Sequence, residues 1–144
     1  MLEIKHPRNE PWQRAMPQLQ GGKELAIHLK TLFSGADLMV TYTRYDPALV
    51  VAPHRHEGVE VIYVIEGSMR VGEVDCPTGT VVVLDGNSVV GPIVAGDEGA
   101  IILEVFHGAG SWWPQPAPPN DRYERLVRER RIVELPGAGR PPSS

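Results

Sequence analysis

Turn residues punctuate this chain at short, regular intervals, and that rhythm limits what it can fold into. Runs rich in valine and isoleucine are separated by Ser34-Gly35-Ala36-Asp37, Asp46-Pro47, Glu66-Gly67, Pro77-Thr78-Gly79, Asp85-Gly86-Asn87 and Gly96-Asp97-Glu98-Gly99. The runs predict strands over Leu25–Phe33, Leu38–Tyr45, Val50–His56, Glu60–Ile65, Ser68–Val71, Thr80–Leu84 and Ala100–Phe106. Long helical periods are scarce before residue 120. Many short strands imply an all-β domain closed into a barrel or sandwich, because closure removes exposed sheet edges. No internal repeat stands out, so one barrel is expected.

The 144 residues suffice for one domain, and 42% apolar content supplies a core. Three segments are expected: an N-terminal arm over 1–24, a barrel over 25–108, and a C-terminal segment over 109–144. The arm is polar, with Pro7, Pro11, Pro17 and Gly21-Gly22, and reads as extended. The C-terminal segment begins Pro-rich, from Ser111 to Pro119. Asn120 or Asp121 could then cap a short helix over Arg122–Ile132, with a frayed tail from Gly137.

A formal charge of −4 and a pI near 5.7 argue against a nucleic-acid binder. No apolar run approaches the roughly 18–20 residues of a membrane span. The N-terminus lacks the apolar region of a secretory signal. Cys76, the single cysteine, cannot form an internal disulfide. A cytoplasmic protein is expected.

The most chemically specific feature is His54-Arg55-His56, followed by Glu60 and Gly67. Imidazoles at i and i+2 share one face of a strand, because strand side chains alternate. A carboxylate four residues on, beyond Gly58, can swing back toward the same point. Imidazole plus carboxylate binds zinc, iron, nickel or manganese.

That passage resembles the first motif of the cupin superfamily: Gly, five residues, His-x-His, three or four residues, Glu, six residues, Gly. His54, His56, Glu60 and Gly67 keep every internal spacing, while Ala48 replaces the leading Gly. The second motif is Gly, five residues, Pro-x-Gly, two residues, His, three residues, Asn. It begins at Gly79 and then departs: Asp85 stands for Pro, Asn87 for Gly, Val90 for His and Val94 for Asn. The resemblance implies an antiparallel cupin-type jelly-roll β-barrel. It also implies one divalent metal (iron, nickel, manganese or zinc) on His54, His56 and Glu60. Val90 then either leaves a coordination position open or marks a site that has lost its metal.

Other residues carry weaker signals. His107 and His28 are nearby replacements for the fourth ligand, but His107 is expected at an exposed strand end, and His6 is weaker still. Glu104 and His107 fall on opposite faces of a regular strand, with Glu104 expected outward. Tyr42 and Arg44 share a face, expected to be a polar outer one. Tyr63 should lie opposite the Glu60 face. Trp112-Trp113 is either a lid or a packing anchor, Cys76 is expected to be inert, and Arg122–Arg131 reads as a solvated helix face.

Two functions follow from the resemblance. One is a metal-dependent enzyme of the dioxygenase, isomerase, lyase or cyclase type, acting on a small oxygen-bearing organic substrate. The other is a non-catalytic small-molecule binding or sensing module, metal-free or not. In either case the expected partners are a small molecule and a second copy of the chain, with no nucleic acid or membrane.

Overall fold

The computed structural model describes residues 1–108, 110 and 112–136; the tail expected from Gly137 lies outside the described residues. In chain order the strands are β1 (Gln13–Gln20), β2 (Lys23–Ser34), β3 (Leu38–Tyr45), β4 (Val50–Val51), β5 (His54–Arg55), β6 (Val59–Val71), β7 (Val74–Pro77), β8 (Val81–Leu84), β9 (Ile93–His107) and β10 (Gln115–Pro116). Helix α1 (Asp121–Arg130) and strand β11 (Ile132–Glu134) follow. The main sheet runs β11-β1-β2-β3-β9-β6-β7, with β4 on β9 and β8 on β6, and every pairing is antiparallel. A second, small sheet joins β10 to β5.

Alternation sorts the long strands into two faces. On β3, Thr41, Thr43 and Tyr45 are buried while Arg44 is exposed. On β6, Glu60, Ile62 and Val64 turn inward, and on β9 Ile102 and Phe106 do the same. Leu25, Ile27, Leu49, Ile62, Val64 and Ile102 are among the residues of the core. Tyr63 points away from it, as the alternation predicts.

The structure differs from the sequence expectation in several places, and the strand expected over Val50–His56 is two short ones, β4 and β5, with His56 outside both. Residues 13–20 are not a free arm: they form β1 and pair with β2, so a boundary at residue 25 cuts a hairpin. Trp12 extends that attachment, lying between Lys30 Nζ at 4.5 Å and the Arg44 guanidinium at 4.8 Å on the outer face. The strands expected over 60–65 and 68–71 are one strand, β6, and Gly96–Gly99 lies inside β9. The register slips at Gly67, where a Cβ would sit 2.2 Å from Gly99 O. Two glycines thus let the paired strands bend together without breaking. The helix begins as expected, with Asn120 Oδ1 accepting from Tyr123 N at 2.9 Å, and ends where Arg131 turns left-handed at φ 52°.

Two departures from the cupin motifs keep the backbone that glycine would favour. Ala48, in place of the leading Gly, has φ 66°, and Asn87, in place of the Gly of the second motif, has φ 64°. Asn tolerates this region well, whereas an alanine methyl does not. Ala48 is held there because its N–H donates to Gly96 O at 3.1 Å, and its carbonyl accepts from Gln20 Nε2 at 2.7 Å and Arg130 Nη1 at 3.1 Å. Ala48→Gly should therefore stabilise the protein. Relief of about 1–2 kcal/mol of strain outweighs the roughly 0.5–1 kcal/mol that glycine loses in chain entropy. Chemical denaturation checks this: a higher midpoint is expected, and an unchanged or lower one contradicts the strain assignment.

Candidate metal centre

The short strand β5, the turn after β8 and the long strand β6 bring the donors together. β5 carries His54 and ends before His56, and the turn after β8 fastens this region from below: Asn87 N donates to His56 O at 2.7 Å. Val90 bridges His54 through paired backbone hydrogen bonds of 3.0 and 2.9 Å. Glu60 enters from β6, opposite Phe106 of β9. Donor atoms of His54, His56 and Glu60 all lie within 4.8 Å of one another. Among the described residues this is the group of three or more His, Cys, Asp or Glu side chains able to hold a metal ion.

The orientation of each donor has a local cause. His54 Nδ1 lies 2.9 Å from Ala52 O, so it donates there and leaves Nε2 as the free lone pair. The two imidazoles meet edge to face at 5.2 Å, and His56 packs on Phe106 at 4.9 Å. His56 Nε2 stands 3.7 Å from Glu60 Oε1. Burial pushes the His54 pKa down, keeping the ring neutral and able to ligate.

Glu60 is the unusual member. It is 2% exposed, and Oε1 is a buried oxygen with no hydrogen-bond donor. Burial pushes its carboxyl far above the ordinary range, and the neighbouring Glu104 adds like charge and a hydrogen bond. A buried carboxyl oxygen without a partner is costly in a purely structural protein. Facing two imidazoles, it is what a cation site requires, so these residues fit a divalent metal.

Glu104 was expected outward and instead faces in. It follows the parity of Ile102 and Phe106, and Thr41 Oγ1 donates to its Oε1 at 3.4 Å. The inner face of β3 adds Thr43, whose hydroxyl donates to Thr41 Oγ1 at 3.2 Å, and buried Tyr45, whose phenol pKa is raised chiefly by burial. Sequence reasoning missed Thr41, Thr43 and Tyr45; outward placement of Tyr42 and Arg44 already implied that they turn in.

The remaining candidates lie elsewhere. His107 is exposed at the strand end, as expected. His28 Nε2 is 3.1 Å from Asp46 Oδ1, and His6 accepts from Arg8 N. Tyr42 packs against Trp12 on the outer face. Cys76 is buried, and its thiol pKa is raised chiefly by burial. The Pro-rich segment does reach the site: β10 pairs with β5, Ala117 N donates to Pro53 O at 3.2 Å, and Gln115 Nε2 donates to Glu57 at 2.8 Å. Trp112 and Trp113 are half-buried just before β10.

The profile of the ChrR cupin-like domain matches residues 5–110. The chain belongs to this cupin family. A search of curated proteins finds no match. Solved structures share the jelly-roll fold. The polyketide cyclase RemF from Streptomyces resistomycificus superposes with a TM-score of 0.67 at 16% identity, covering 89% of this chain and 94% of its own. KdgF from Halomonas sp. gives 0.60 at 22% identity, covering 75% and 94%. ChrR, in the complex of Rhodobacter sphaeroides SigE with that anti-sigma protein, gives 0.50 at 19% identity, covering 56% and 43%. A cupin-type jelly roll is thus the fold of this chain, and His54, His56 and Glu60 of the first motif form its candidate metal centre.

The raised Glu60 pKa predicts a pH signature in the metal-free cupin. The unfolded carboxyl ionises near its ordinary value while the folded one stays protonated, so Glu60 costs stability as pH rises above about 4.5. The limit is about 1.4 kcal/mol per pH unit. Glu60→Gln removes that cost, whereas the opposing effect of His54 is common to both proteins. The stability of the Gln variant relative to the parent should therefore grow from pH 5 to pH 8, measured by urea unfolding in chelator. A pH-independent difference contradicts the assignment.

Proposed function

We propose that this cupin is a metal-dependent protein acting on a small oxygen-bearing organic molecule, with His54, His56 and Glu60 as the metal ligands. The observation that carries the reading is the buried, unpartnered Glu60 Oε1 facing two imidazoles, with all three donors inside 4.8 Å. A divalent ion held there would supply Lewis acidity toward a carbonyl or enolate, or oxygen chemistry if it is iron. The chain's own part is to bind and to orient. Ala52 O fixes the His54 ring, Phe106 fixes His56, and Val90 supplies an apolar wall where a fourth donor would stand. Three protein ligands leave positions for substrate. The reaction is of dioxygenase, isomerase, lyase or cyclase type. RemF is a polyketide cyclase, and a putative acetylacetone dioxygenase from Methylibium petroleiphilum shares the fold at a TM-score of 0.62 and 13% identity.

A second reading, a metal-binding sensor without turnover, is favoured by a separate observation. β10 pairs with β5 and so occupies the edge of the strand that carries His54. The matching family takes its description from ChrR, an anti-sigma protein.

Assembly and location complete the proposal: a cytoplasmic homodimer. Among the described residues no helix is long and apolar enough to cross a membrane. β1 lies within its own sheet, so we assign the contact to the outer sheet face instead of the arm. There Tyr63 pairs across the strands with Val81, and Val61 with Val83; Tyr63, Val81 and Val83 are exposed. Light scattering should give twice 15.8 kDa for the parent and the single mass for Val83→Glu. A monomeric parent contradicts the dimer.

Titration with iron(II), nickel, manganese and zinc tests the metal reading, on protein purified without a metal column. One site per chain is expected, lost in His56→Ala and strengthened roughly tenfold or more in Val90→His, which restores a donor beside His54. Stoichiometric binding that survives loss of both histidines places the metal elsewhere and overturns the reading. Binding without turnover of any carbonyl or enol substrate favours the sensor.

A further inference from the structure

We propose that the cleft between α1 and the β6–β7 hairpin binds a small organic carboxylate, with Arg130 as the partner of the anion and an apolar floor for its body. This site lies apart from the metal centre and does not rest on that reading.

The helix bridges the cleft. Neutral acceptors fasten it at both ends: Asn120 Nδ2 donates to Gly91 O at 3.3 Å, and Arg130 Nη1 donates to Ala48 O at 3.1 Å. Between those ends lies a cleft of 390 Å³, a size that suits a small molecule. Met69 of β6, Cys76 of β7 and Ala95 of β9 are buried side chains in its wall, and Leu126 of α1 faces them. The floor is therefore apolar. Arg122, Leu126 and Arg130 recur every four residues and so share one face of α1. All three are half-buried, whereas Glu124, Arg125, Arg128 and Glu129 are exposed. The helix thus turns two guanidinium groups into the cleft, and Arg70 adds a third from β6.

The charge balance selects the occupant. The chain carries a net charge of −4, yet three cations meet here. Two of them are loosely paired: Arg70 Nε is 3.5 Å from Asp75 Oδ1, and Arg122 Nη2 is 3.7 Å from Glu73 Oε1. Both carboxylates are largely exposed, so solvent screens these pairs. Among the described residues Arg130 forms no ion pair, and its hydrogen bond goes to a carbonyl. A guanidinium has five N–H donors, so this fork has donors left for a carboxylate. Three cations against two carboxylates leave one positive charge, which a monoanion neutralises. An anion without an apolar body would leave the floor unused, and a neutral apolar molecule would leave Arg130 unpaired. A carboxylate on an apolar body satisfies both.

The test is an amide NMR titration of the full chain with octanoate, octanol, acetate and inorganic phosphate. It compares the parent with Arg130→Gln, Arg128→Gln and His56→Ala, each with its thermal unfolding recorded. Octanoate should saturate one site per chain with a Kd of about 1 mM or tighter. The shifted amides should centre on residues 69–77 and 122–130. Arg130→Gln should weaken octanoate roughly tenfold, the loss of a charge-assisted hydrogen bond. Octanol and acetate should each bind the parent at least about tenfold more weakly than octanoate. Arg128→Gln removes the same charge from the exposed face of the helix and should stay within about twofold of the parent. No saturable octanoate binding, equal binding by parent and Arg130→Gln, or octanol as tight as octanoate overturns the proposal. So does phosphate tighter than octanoate, which makes the cleft a site for another class of anion. Equal losses in Arg128→Gln and Arg130→Gln reduce the effect to net charge, and binding that vanishes in His56→Ala belongs to the metal centre; either result also overturns it. Should Arg130→Gln fail to fold, Arg122→Glu reverses the local charge balance and leaves the Ala48 contact in place. Roughly a tenfold or greater loss is then expected, and an unchanged affinity overturns the proposal.

Discussion

The ladder between β6 and β9 runs from Val59 opposite His107 to Val71 opposite Ile93, and it decides where every site residue points. β9 also carries β3 and β4, and β6 carries β7 and β8. A one-residue slip would send Glu60 and Glu104 to the outer face and bring Val61 and Val105 in. Gly67 and Gly99 protect that register. Their backbones approach so closely that a single added methyl at Gly67 would collide with a carbonyl. The glycine that closes the first cupin motif therefore serves the ladder, and through it the centre.

Held this way, the interior is more polar than folding alone would favour. Thr41, Thr43, His56 and Glu60 are buried, and Glu104 faces in beside them. Most of these groups find hydrogen bonds or ring contacts, but Glu60 Oε1 does not. Burial of a carboxyl oxygen without a donor costs on the order of 1–3 kcal/mol. Stability given up at one point, beside two correctly turned imidazoles, is the pattern of a site shaped for a cation. His56, Glu60 and Val90 are buried, and a low-dielectric surrounding strengthens electrostatic interactions among them.

Part of this was legible in the residues. His54, His56, Glu60 and Gly67 announce the centre because their spacing matches the first motif, although His56 lies just past the end of β5. The strand rhythm announces the all-β fold. The apparent decay at Ala48 and Asn87 misleads at the level of letters, since both keep the left-handed backbone that the motif's glycines would adopt. Glu104 was not legible, because β9 is apolar on both faces: Ile102 and Phe106 point inward, Leu103 and Val105 outward, and no alternation marks the inner side. β1 was hidden by Pro17, whose neighbourhood is a register shift in the β1–β2 pair and so tolerates a missing N–H. The reach of the Pro-rich segment back to β5 is a contact across more than fifty residues and leaves no local trace.

The central claim is that one metal ion sits among His54, His56 and Glu60. Anomalous scattering from a crystal of the protein loaded with zinc tests it directly. The expected result is a single strong peak per chain within bonding distance, about 2.0–2.2 Å, of His54 Nε2, a His56 ring nitrogen and a Glu60 oxygen. A peak at any other residues, or none at the three donors in fully loaded protein, would contradict it.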